Sequence, residues 1–431
     1  MSFSVNINRI IGDIDAVTGG AAACTRPSYG AADAEARAYF FRAFEELGLE
    51  VRTDGAGNIR AAMKGKEPEL APVLVGSHID TVNNGGRFDG LLGVVCALEC
   101  LRIFKEKGHV PRRNVEVVIF AEEEASNFGV TLLGSKLLTG KLAPASLKGI
   151  FNDARQSADD VIRNAGFDPS RFAEADETEA SERNDDDDES GHASEILQPD
   201  EVYAMMEMHI EQGSVLESSK VSVGIVENIA GMETYRVVLT GPSGHAGGTP
   251  MANRKDPMVA AAEIILCVQK AAEGADSGTA VATVGKLSVR PGATNVIARE
   301  VEFFVDIRDS NDASVEELAD SLKFFTESIG GKQGLTTDVC RISKSLAIGL
   351  DGDVIETIDR AAKDLGTPGL HMYSGPVHDA GMMAGVTRVG MIFVPSIGGL
   401  SHCPEEDTRP TDIETGANVL LETVKRLAEG V

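Results

Sequence analysis

The pattern of apolar and polar positions predicts an α/β fold in the first half of the chain. Apolar runs of strand length alternate with longer stretches in which apolar residues recur at helical spacing. The predicted strands cover 49–62 with a turn at 54–57, then 72–76, 114–121 and 202–208, and the predicted helices cover 31–47 and 90–104. Such an order is typical of an open α/β sheet, whose ligand sites lie outside the carboxyl ends of the strands.

From about residue 231 the order of predicted elements changes to βαββαβ, which is that of a ferredoxin-like unit. Its strands are predicted at 232–240, 279–289, 295–307 and 335–342, and its helices at 256–273 and 314–329. A helix at 354–365 and a strand at 391–395 then resume the first pattern. We therefore expect a split α/β domain with a mixed sheet, made of residues 1–230 and 344–431, and an inserted domain at 231–343.

The charge balance excludes two classes of partner. The 431 residues include 67 acidic and 40 basic side chains, a net charge of −27, so nucleic acid and anionic membranes would be repelled. Residues 174–190 alone carry ten acidic residues and one arginine, a composition that predicts a solvated loop. The excess acid fits a protein kept soluble in concentrated salt, and it equally fits simple acidic solubility.

The expected location is the cytoplasm. No apolar run approaches the roughly 18 residues of a membrane-spanning helix, and the first residues lack the basic and apolar regions of a secretory signal. The six cysteines form no paired zinc-ribbon pattern, and free thiols agree with a reducing compartment.

Imidazoles and carboxylates cluster at the ends of the predicted strands and in the loops that follow them. They are His78, Asp80, Asp89, the run Glu122–Glu124, His209 and His402. Mixed nitrogen and oxygen ligands suit zinc or manganese, and two ions about 3.5 Å apart would share one carboxylate. Asp89, at the start of a predicted helix in the middle of this set, is the natural bridge. A further carboxylate left off the metals could serve as a general base.

These residues stand in short motifs spread in order along nearly the whole chain. The motifs are Gly76-Ser77-His78-Ile79-Asp80-Thr81, Phe88-Asp89-Gly90, Glu123-Glu124, His209-Ile210-Glu211-Gln212-Gly213, Gly244-His245-Ala246-Gly247 with Thr249-Pro250-Met251, and Ser401-His402-Cys403-Pro404. Together they resemble the dinuclear metallohydrolases of the M20 peptidase clan. The segment His-Ile-Glu-Gln-Gly narrows the resemblance to one branch of that clan, the N-carbamoyl-L-amino acid hydrolases, ureidopropionases and allantoate amidohydrolases.

The resemblance implies a role for each residue around two divalent metal ions. One ion would be bound by His78, Asp89 and His209, and the other by Asp89, Glu124 and His402. Asp80 would orient His78 as a supporting carboxylate. Glu123 would take a proton from the bridging water and pass it to the departing nitrogen.

The resemblance also implies how the substrate is held. In that family the inserted domain is a lid that closes over the catalytic domain and supports a homodimer, and the histidine of its Gly-His-Ala-Gly motif polarises the substrate carbonyl. That residue is His245 here, and Gln212, Asn295 and Arg308 match positions that hold the carboxylate and ureido groups. A guanidinium such as that of Arg308 pairs a carboxylate bidentately, although an ordinary surface ion pair is an open alternative. Asn295 could equally serve only the turn that follows Pro291 and Gly292.

The expected activity is metal-dependent hydrolysis of the carbamoyl C–N bond of a linear ureido acid. A deacylase or dipeptidase of the same clan is one alternative, and a non-catalytic metal-binding assembly protein is another. One departure from the family pattern concerns the paired glutamates, which the family follows with Gly-x-Arg-Phe. This chain has Ala125-Ser126-Asn127-Phe128 instead, which leaves the local turn and the substrate preference open.

Overall fold

The computed structural model describes residues 3–173 and 194–430, in two compact units. The first unit comprises Met1–Glu227, Leu350–Met372 and His378–Val431, and the second comprises Asn228–Gly349 and Tyr373–Val377. The acidic segment 174–190, for which the sequence predicts a solvated loop, lies outside the described residues. None of the helices in the described ranges combines the length and the apolar character that a bilayer crossing requires.

The described residues form strands and helices that alternate along most of the chain. The strands are β1 Glu50–Thr53, β2 Ile59–Met63, β3 Val73–His78, β4 Val115–Phe120, β5 Ala204–Ile210, β6 Gly224–Ile229, β7 Gly231–Thr240, β8 Gly244–His245, β9 Val281–Arg290, β10 Val296–Ile297, β11 Glu300–Asp309, β12 Thr336–Ser345, β13 Ile348–Gly349, β14 Leu370–Ser374 and β15 Arg388–Val394. The helices are α1 Ile7–Thr18, α2 Ala31–Leu47, α3 Leu91–Glu106, α4 Leu133–Leu138, α5 Ala158–Asn164, α6 Val215–Ser219, α7 Pro257–Glu273, α8 Asp312–Lys332, α9 Gly352–Asp364, α10 Asp379–Met383 and α11 Pro410–Glu429.

A mixed sheet forms the centre of the first unit, with strand order β1-β2-β4-β3-β5-β15-β6. Its middle strands β4, β3, β5 and β15 run parallel to one another, and β2 and β6 pair with this set in the antiparallel sense. All residues of β3, β4 and β5 are buried, as expected for strands covered on both faces. The parallel strands therefore bring their carboxyl ends to one edge of the sheet.

Helix α3 lies at the core of this unit. Thirteen of its 16 residues are buried, and it packs against β3 on one side and against α1 and α11 on the others. A helix that is apolar nearly all round is one that neighbouring elements enclose. Its position is fixed by this burial, and so is the loop that leads into it.

The second unit has an antiparallel four-stranded sheet with the order β12-β7-β11-β9. Helices α7 and α8 pack on its buried face, where alternate residues of β7 and β11 point into an apolar core. Two short strands, β8 and β10, pair with each other apart from this sheet. The order β7-α7-β9-β11-α8-β12 confirms the predicted ferredoxin-like βαββαβ fold, and the mixed sheet of the first unit confirms the predicted α/β class.

One predicted strand is wrong in its extent. The sequence predicts a single strand at 295–307, whereas the structure has β10 at Val296–Ile297 and β11 from Glu300. The break arises because β10 pairs with His245 and Gly244 of β8, and β11 pairs with β7 and β9 in another sheet. An apolar run carries no information on which partner each part will meet.

Candidate metal centre

Strand β3 delivers the first imidazole. Its last residue is His78, and Gly76 lets it lie close to β4, because a Cβ there would come within 1.8 Å of the Val118 carbonyl oxygen. The Nδ1 atom of His78 lies 3.1 Å from the main-chain oxygen of Asp80, which places the ring N–H on Nδ1. Its Nε2 atom therefore presents a lone pair toward Oδ1 of Asp89, 3.6 Å away.

The entrance to α3 holds the carboxylate that the other candidate ligands surround. Asp89 is buried and is followed by Gly90, whose φ is 63°. A Cβ at position 90 would lie 2.3 Å from Cε1 of His78, so the loop can pass the imidazole only with glycine at this position. The chain then turns into α3 directly beneath the site.

Strand β5 delivers the second imidazole. The Nδ1 atom of His209 lies 2.9 Å from the main-chain oxygen of Ile210, so its N–H is also on Nδ1. Its Nε2 atom is 3.1 Å from Oδ1 of Asp89 and 3.2 Å from the peptide nitrogen of Gly90. Both buried imidazoles thus point Nε2 at the same carboxylate oxygen.

A second group forms around the other oxygen of Asp89. The Nε2 atom of His402 lies 3.2 Å from Oδ2 of Asp89 and 3.3 Å from Oε2 of Glu124. His402 comes from the loop between β15 and α11, has a φ of 56°, and leaves 48% of its side chain exposed. The ligand atoms of His78, Asp89 and His209 lie within 4.8 Å of one another, and so do those of Asp89, Glu124 and His402.

These distances fit two cations that share Asp89. Ligand atoms about 2.0–2.1 Å from a tetrahedral zinc ion lie about 3.3 Å apart, and the four pairs given above span 3.1 to 3.6 Å. In addition, Oε1 of Glu124 is buried without a hydrogen-bond partner. A buried carboxylate oxygen with no donor is satisfied when a cation binds it.

Burial and neighbouring carboxylates oppose ionisation of the two glutamates of the site. Burial raises the pKa of Glu124 to about 10, and the charge of Asp89 adds to the rise. Burial and the neighbouring Glu124 hold the pKa of Glu123 well above its ordinary value. Burial also opposes ionisation of Asp89, but the imidazoles of His209 and His402 outweigh it and hold that pKa well below the ordinary value. Divalent cations would remove the mutual repulsion that keeps the glutamates protonated.

The two buried imidazoles differ in basicity. Burial lowers the pKa of His78 to about 4, which keeps it neutral. For His209 the attraction of Asp89 outweighs burial and raises the pKa to about 9. A metal ion binds the neutral imidazole, so a cation at Nε2 would take the place of the proton that Asp89 favours there.

Glu123 stands beside the site and belongs to neither group of ligands. Its Oε2 atom lies 3.8 Å from Nε2 of His78, and its side chain is buried. The carboxylate of Asp80 accepts hydrogen bonds from the peptide N–H groups of Glu123, at 3.2 Å, and Glu124, at 3.0 Å. Asp80 therefore holds both glutamates through their main chain, and it contacts the imidazole of His78 chiefly through its own carbonyl oxygen.

The candidate substrate residues divide between the two units. Gln212, in the first unit, has a φ of 56° and donates from Nε2 to Oδ2 of Asp89 at 2.8 Å, so it contacts the shared carboxylate directly. In the second unit, Arg308 pairs with Asp306 at 2.7 Å. The exposed Asn295 also lies in that unit.

His245 also lies in the second unit, and its ring has a defined tautomer. Its Nδ1 atom accepts hydrogen bonds of 3.1 Å from the peptide N–H groups of both Gly247 and Gly248. The ring proton is therefore on Nε2, and the exposed side chain presents an N–H donor. The last glycine of the motif Gly-His-Ala-Gly, Gly247, and the glycine that follows it, Gly248, supply the two peptide donors.

Two buried residues contact the site although no motif in the sequence assigns them a role. Glu406 accepts a hydrogen bond of 3.1 Å from the peptide N–H of Asp89, and the ring of His378 lies 4.7 Å from that of His209, between centroids. Glu406 adjoins the exposed Glu405, and the sequence offers no signal that separates the two. His378 stands directly before Asp379, which is also buried. This His-Asp pair is visible in the sequence and is the signal that points to His378.

Comparison with known proteins places this arrangement in a family. Residues 74–426 match the model of "Peptidase family M20/M25/M40". The chain is 37% identical to N-carbamoyl-L-amino acid amidohydrolase of Geobacillus stearothermophilus, over 94% of each protein. It is 32% identical to allantoate amidohydrolase of Escherichia coli, over 94% of this chain and 93% of that one. Its fold is similar to that of a hydantoinase/carbamoylase family amidase from Burkholderia multivorans, with a TM-score of 0.89, 29% identity and coverage of 100% and 99%.

Proposed function

The chain belongs to peptidase family M20/M25/M40, and from that premise we propose that it is an amidohydrolase of linear ureido acids. The reaction consumes water and cleaves the carbamoyl C–N bond of an N-carbamoyl amino acid or of allantoate. Ammonia and carbon dioxide are released together with an amino acid or a ureido product. The two ligand groups that share Asp89, with the spare carboxyl of Glu123 beside them, are the observation that carries this proposal.

Two divalent cations, zinc or manganese, fit the donor set. His78, Asp89 and His209 would hold one of them, and Asp89, Glu124 and His402 would hold the other. Cations in such a pair acidify water and polarise the carbonyl oxygen of the substrate. Nitrogen and carboxylate oxygen ligands do not distinguish zinc from manganese, so the metal has to be identified by analysis of the purified protein.

Glu123 moves the proton in this scheme. A cation beside it would favour its ionised form, in which it accepts a proton from the attacking water. The same carboxyl then returns the proton to the departing nitrogen, so that an amine rather than an amide anion leaves. Asp80 accepts a hydrogen bond from the peptide N–H of Glu123 and so fixes the main-chain position from which the Glu123 carboxyl extends.

Four further residues complete the proposal on the substrate side. The Nε2 proton of His245 is suited to donate to the carbonyl oxygen of the substrate, and Gln212, Asn295 and Arg308 are proposed to bind its carboxylate and ureido groups. Arg308 would have to exchange its partner Asp306 for the substrate carboxylate. We further propose, on the strength of the family resemblance, that the chain works as a homodimer. We also propose that it works in the cytoplasm, with which its free cysteines agree.

A substrate panel tests the proposal. Ammonia and amine release would be measured from allantoate, N-carbamoyl-β-alanine, several N-carbamoyl-L-amino acids, N-acetyl amino acids and dipeptides, with zinc or manganese added. Turnover is expected for ureido acids alone, and the mass by sedimentation velocity should be twice 45.5 kDa. The Glu123→Gln variant should retain bound metal and lose at least about a hundredfold in turnover, since a positioned general base contributes about 10²–10⁴.

Two outcomes would contradict the proposal. Activity on N-acetyl amino acids or dipeptides only would make the protein a deacylase or peptidase of the same family. Bound metal without turnover of any compound would favour a non-catalytic role. Full activity of Glu123→Gln would leave ureido acid hydrolysis possible and would remove Glu123 from its mechanism.

A further inference from the structure

Glu406 joins the loop of Asp89 to the loop of His402 from within the first unit. Its Oε1 atom accepts hydrogen bonds from the peptide N–H groups of Phe88, at 2.9 Å, and Asp89, at 3.1 Å. Its Oε2 atom accepts one of 2.8 Å from Oγ of Ser401, the residue before His402. The Ser401 hydroxyl is in turn 3.1 Å from Oδ2 of Asp89. One side chain therefore contacts both ligand-bearing loops, although Glu406 and Asp89 are 317 positions apart.

The chain leaves a dedicated space for this side chain. Glu406 is only 3% exposed, and a Cβ at Gly86 would come within 2.2 Å of its carboxyl group. The φ of Gly86 is not positive, so its glycine is needed here for room rather than for backbone freedom. A buried carboxylate that keeps three donors in contact is costly to desolvate and is stabilised only by those donors.

The contacts control which way each oxygen of the shared carboxylate faces. Oδ1 of Asp89 faces the two buried imidazoles, whereas Oδ2 faces His402. The Ser401 hydroxyl lies against Oδ2, and Glu406 fixes both that hydroxyl and the Asp89 peptide. Without Glu406, the peptide N–H groups of Phe88 and Asp89 would lose their acceptor. The main chain that carries Asp89 would then be held less firmly, although Gln212 would still donate to Oδ2.

We propose that Glu406 is a positioning residue that holds Asp89 in its shared orientation between the two ligand groups. The proposal rests on the metal centre proposed above and adds a residue that acts on it through Asp89 and Ser401. Residues that orient metal ligands typically change metal affinity by about 10–100-fold when they are replaced. A residue that served only to stabilise the loop would instead change the free energy of unfolding and leave the affinity of the folded protein unchanged.

The test compares metal binding of four variants with that of the full-length wild type. Affinity and stoichiometry for zinc and manganese would be measured by competition with a chromophoric chelator. Glu406→Ala should bind about 10–100-fold more weakly. Glu406→Gln should bind nearly as well as the wild type, because its amide oxygen can accept both peptide N–H groups and its NH₂ can donate to Ser401. Glu405→Ala, an exposed neighbour, is the matched control and should bind as the wild type does.

Ser401→Ala keeps the test decisive if Glu406→Ala fails to fold. It removes only the hydroxyl that lies between Oε2 of Glu406 and Oδ2 of Asp89, which accept its single proton one at a time, and it should weaken binding about tenfold. Unchanged affinity in Glu406→Ala, or in Ser401→Ala where only that variant folds, would overturn the proposal. Absence of metal binding by the wild type would instead refute the proposed metal centre, so the two failures are distinguishable.

Discussion

At the scale of single residues, the turn after β4 shows how this chain replaces a family feature. Ala125 has a φ of 56°, a left-handed conformation that suits the glycine found there in the family pattern. The turn persists because the buried carboxylate of Glu122 accepts hydrogen bonds from the peptides of Asn127, at 2.8 Å, and Phe128, at 3.1 Å. Glu122 thus stabilises the turn that carries Glu123 and Glu124, and the strain at Ala125 is tolerated.

Ala125→Gly should therefore stabilise the protein. Relief of the left-handed strain gains about 1–2 kcal/mol, and the greater freedom of glycine in the unfolded chain costs about 0.4–1 kcal/mol, which leaves a net gain of up to about 1.6 kcal/mol. Urea unfolding of chelator-treated protein measures it. The control is Ala38→Gly, at an exposed position inside α2, which should lower the free energy of unfolding by about 1 kcal/mol. A loss of stability at position 125 as well would show that Ala125 is not strained.

At the scale of elements, α3 places the site through its contact with the sheet. A Cβ at Gly93 would lie 2.3 Å from the main-chain oxygen of Met208 and 2.9 Å from Cβ of Ser77. The helix therefore touches β3 and β5 at a glycine, one turn after Asp89 and beside the residues that precede His78 and His209. The packing of α3 against the sheet therefore also sets the relative positions of the candidate ligands on these three elements.

Gly93→Ala should push α3 away from the sheet. Overpacking of this kind costs about 1–3 kcal/mol, and the displacement of Asp89 should also weaken metal binding. The control is Gly12→Ala inside α1, where nothing lies within 4 Å of an added Cβ. The higher helix propensity of alanine should raise the free energy of unfolding there by about 1 kcal/mol. Urea unfolding and chelator competition measure both effects. Equal stabilisation by the two substitutions would mean that the close contact at Gly93 is absent in solution.

At the scale of the whole molecule, the net charge of −27 is the dominant electrostatic feature. Many cationic side chains are already paired at the surface, as Arg112 is with Glu67 and Arg163 with Asp159. Exposed pairs of this kind contribute little, so they do not offset the repulsion among the remaining acids. Salt screens this repulsion, since the Debye length falls from about 10 Å at 0.1 M to about 3 Å at 1 M.

The free energy of unfolding should therefore rise with salt, by about 1 kcal/mol or more between about 0.05 M and 1 M KCl. Urea is the suitable denaturant because it is uncharged, and chelator-treated protein removes any contribution from metal binding. A rise would support adaptation to concentrated salt. Stability that is constant or falls with salt would show that the ion pairs balance the acids, and acidity would then serve only solubility.

Much of the fold follows from local pattern. The helical spacing of 31–47 predicts α2 at Ala31–Leu47 with its stop at Gly48, where the φ is 65°. The apolar runs before His78 and Glu122 predict β3 and β4 to within two residues. These elements are predictable because side-chain burial repeats at the period of the element itself. The extent of β10 and β11 was not predictable, because each pairs with a different strand.

The sequence by itself determined which candidate ligands are available: His78, Asp89, Glu124, His209 and His402 stand in motifs whose residue types suit a pair of cations. Chemical identity and local order are properties of the chain, so a sequence carries them in full. Only the tertiary structure decided that Oδ1 and Oδ2 of Asp89 face different groups, and that Glu406 rather than Glu405 accepts a hydrogen bond from the Asp89 peptide. The reason is that orientation and burial depend on contacts between residues far apart in the chain, which no local pattern encodes.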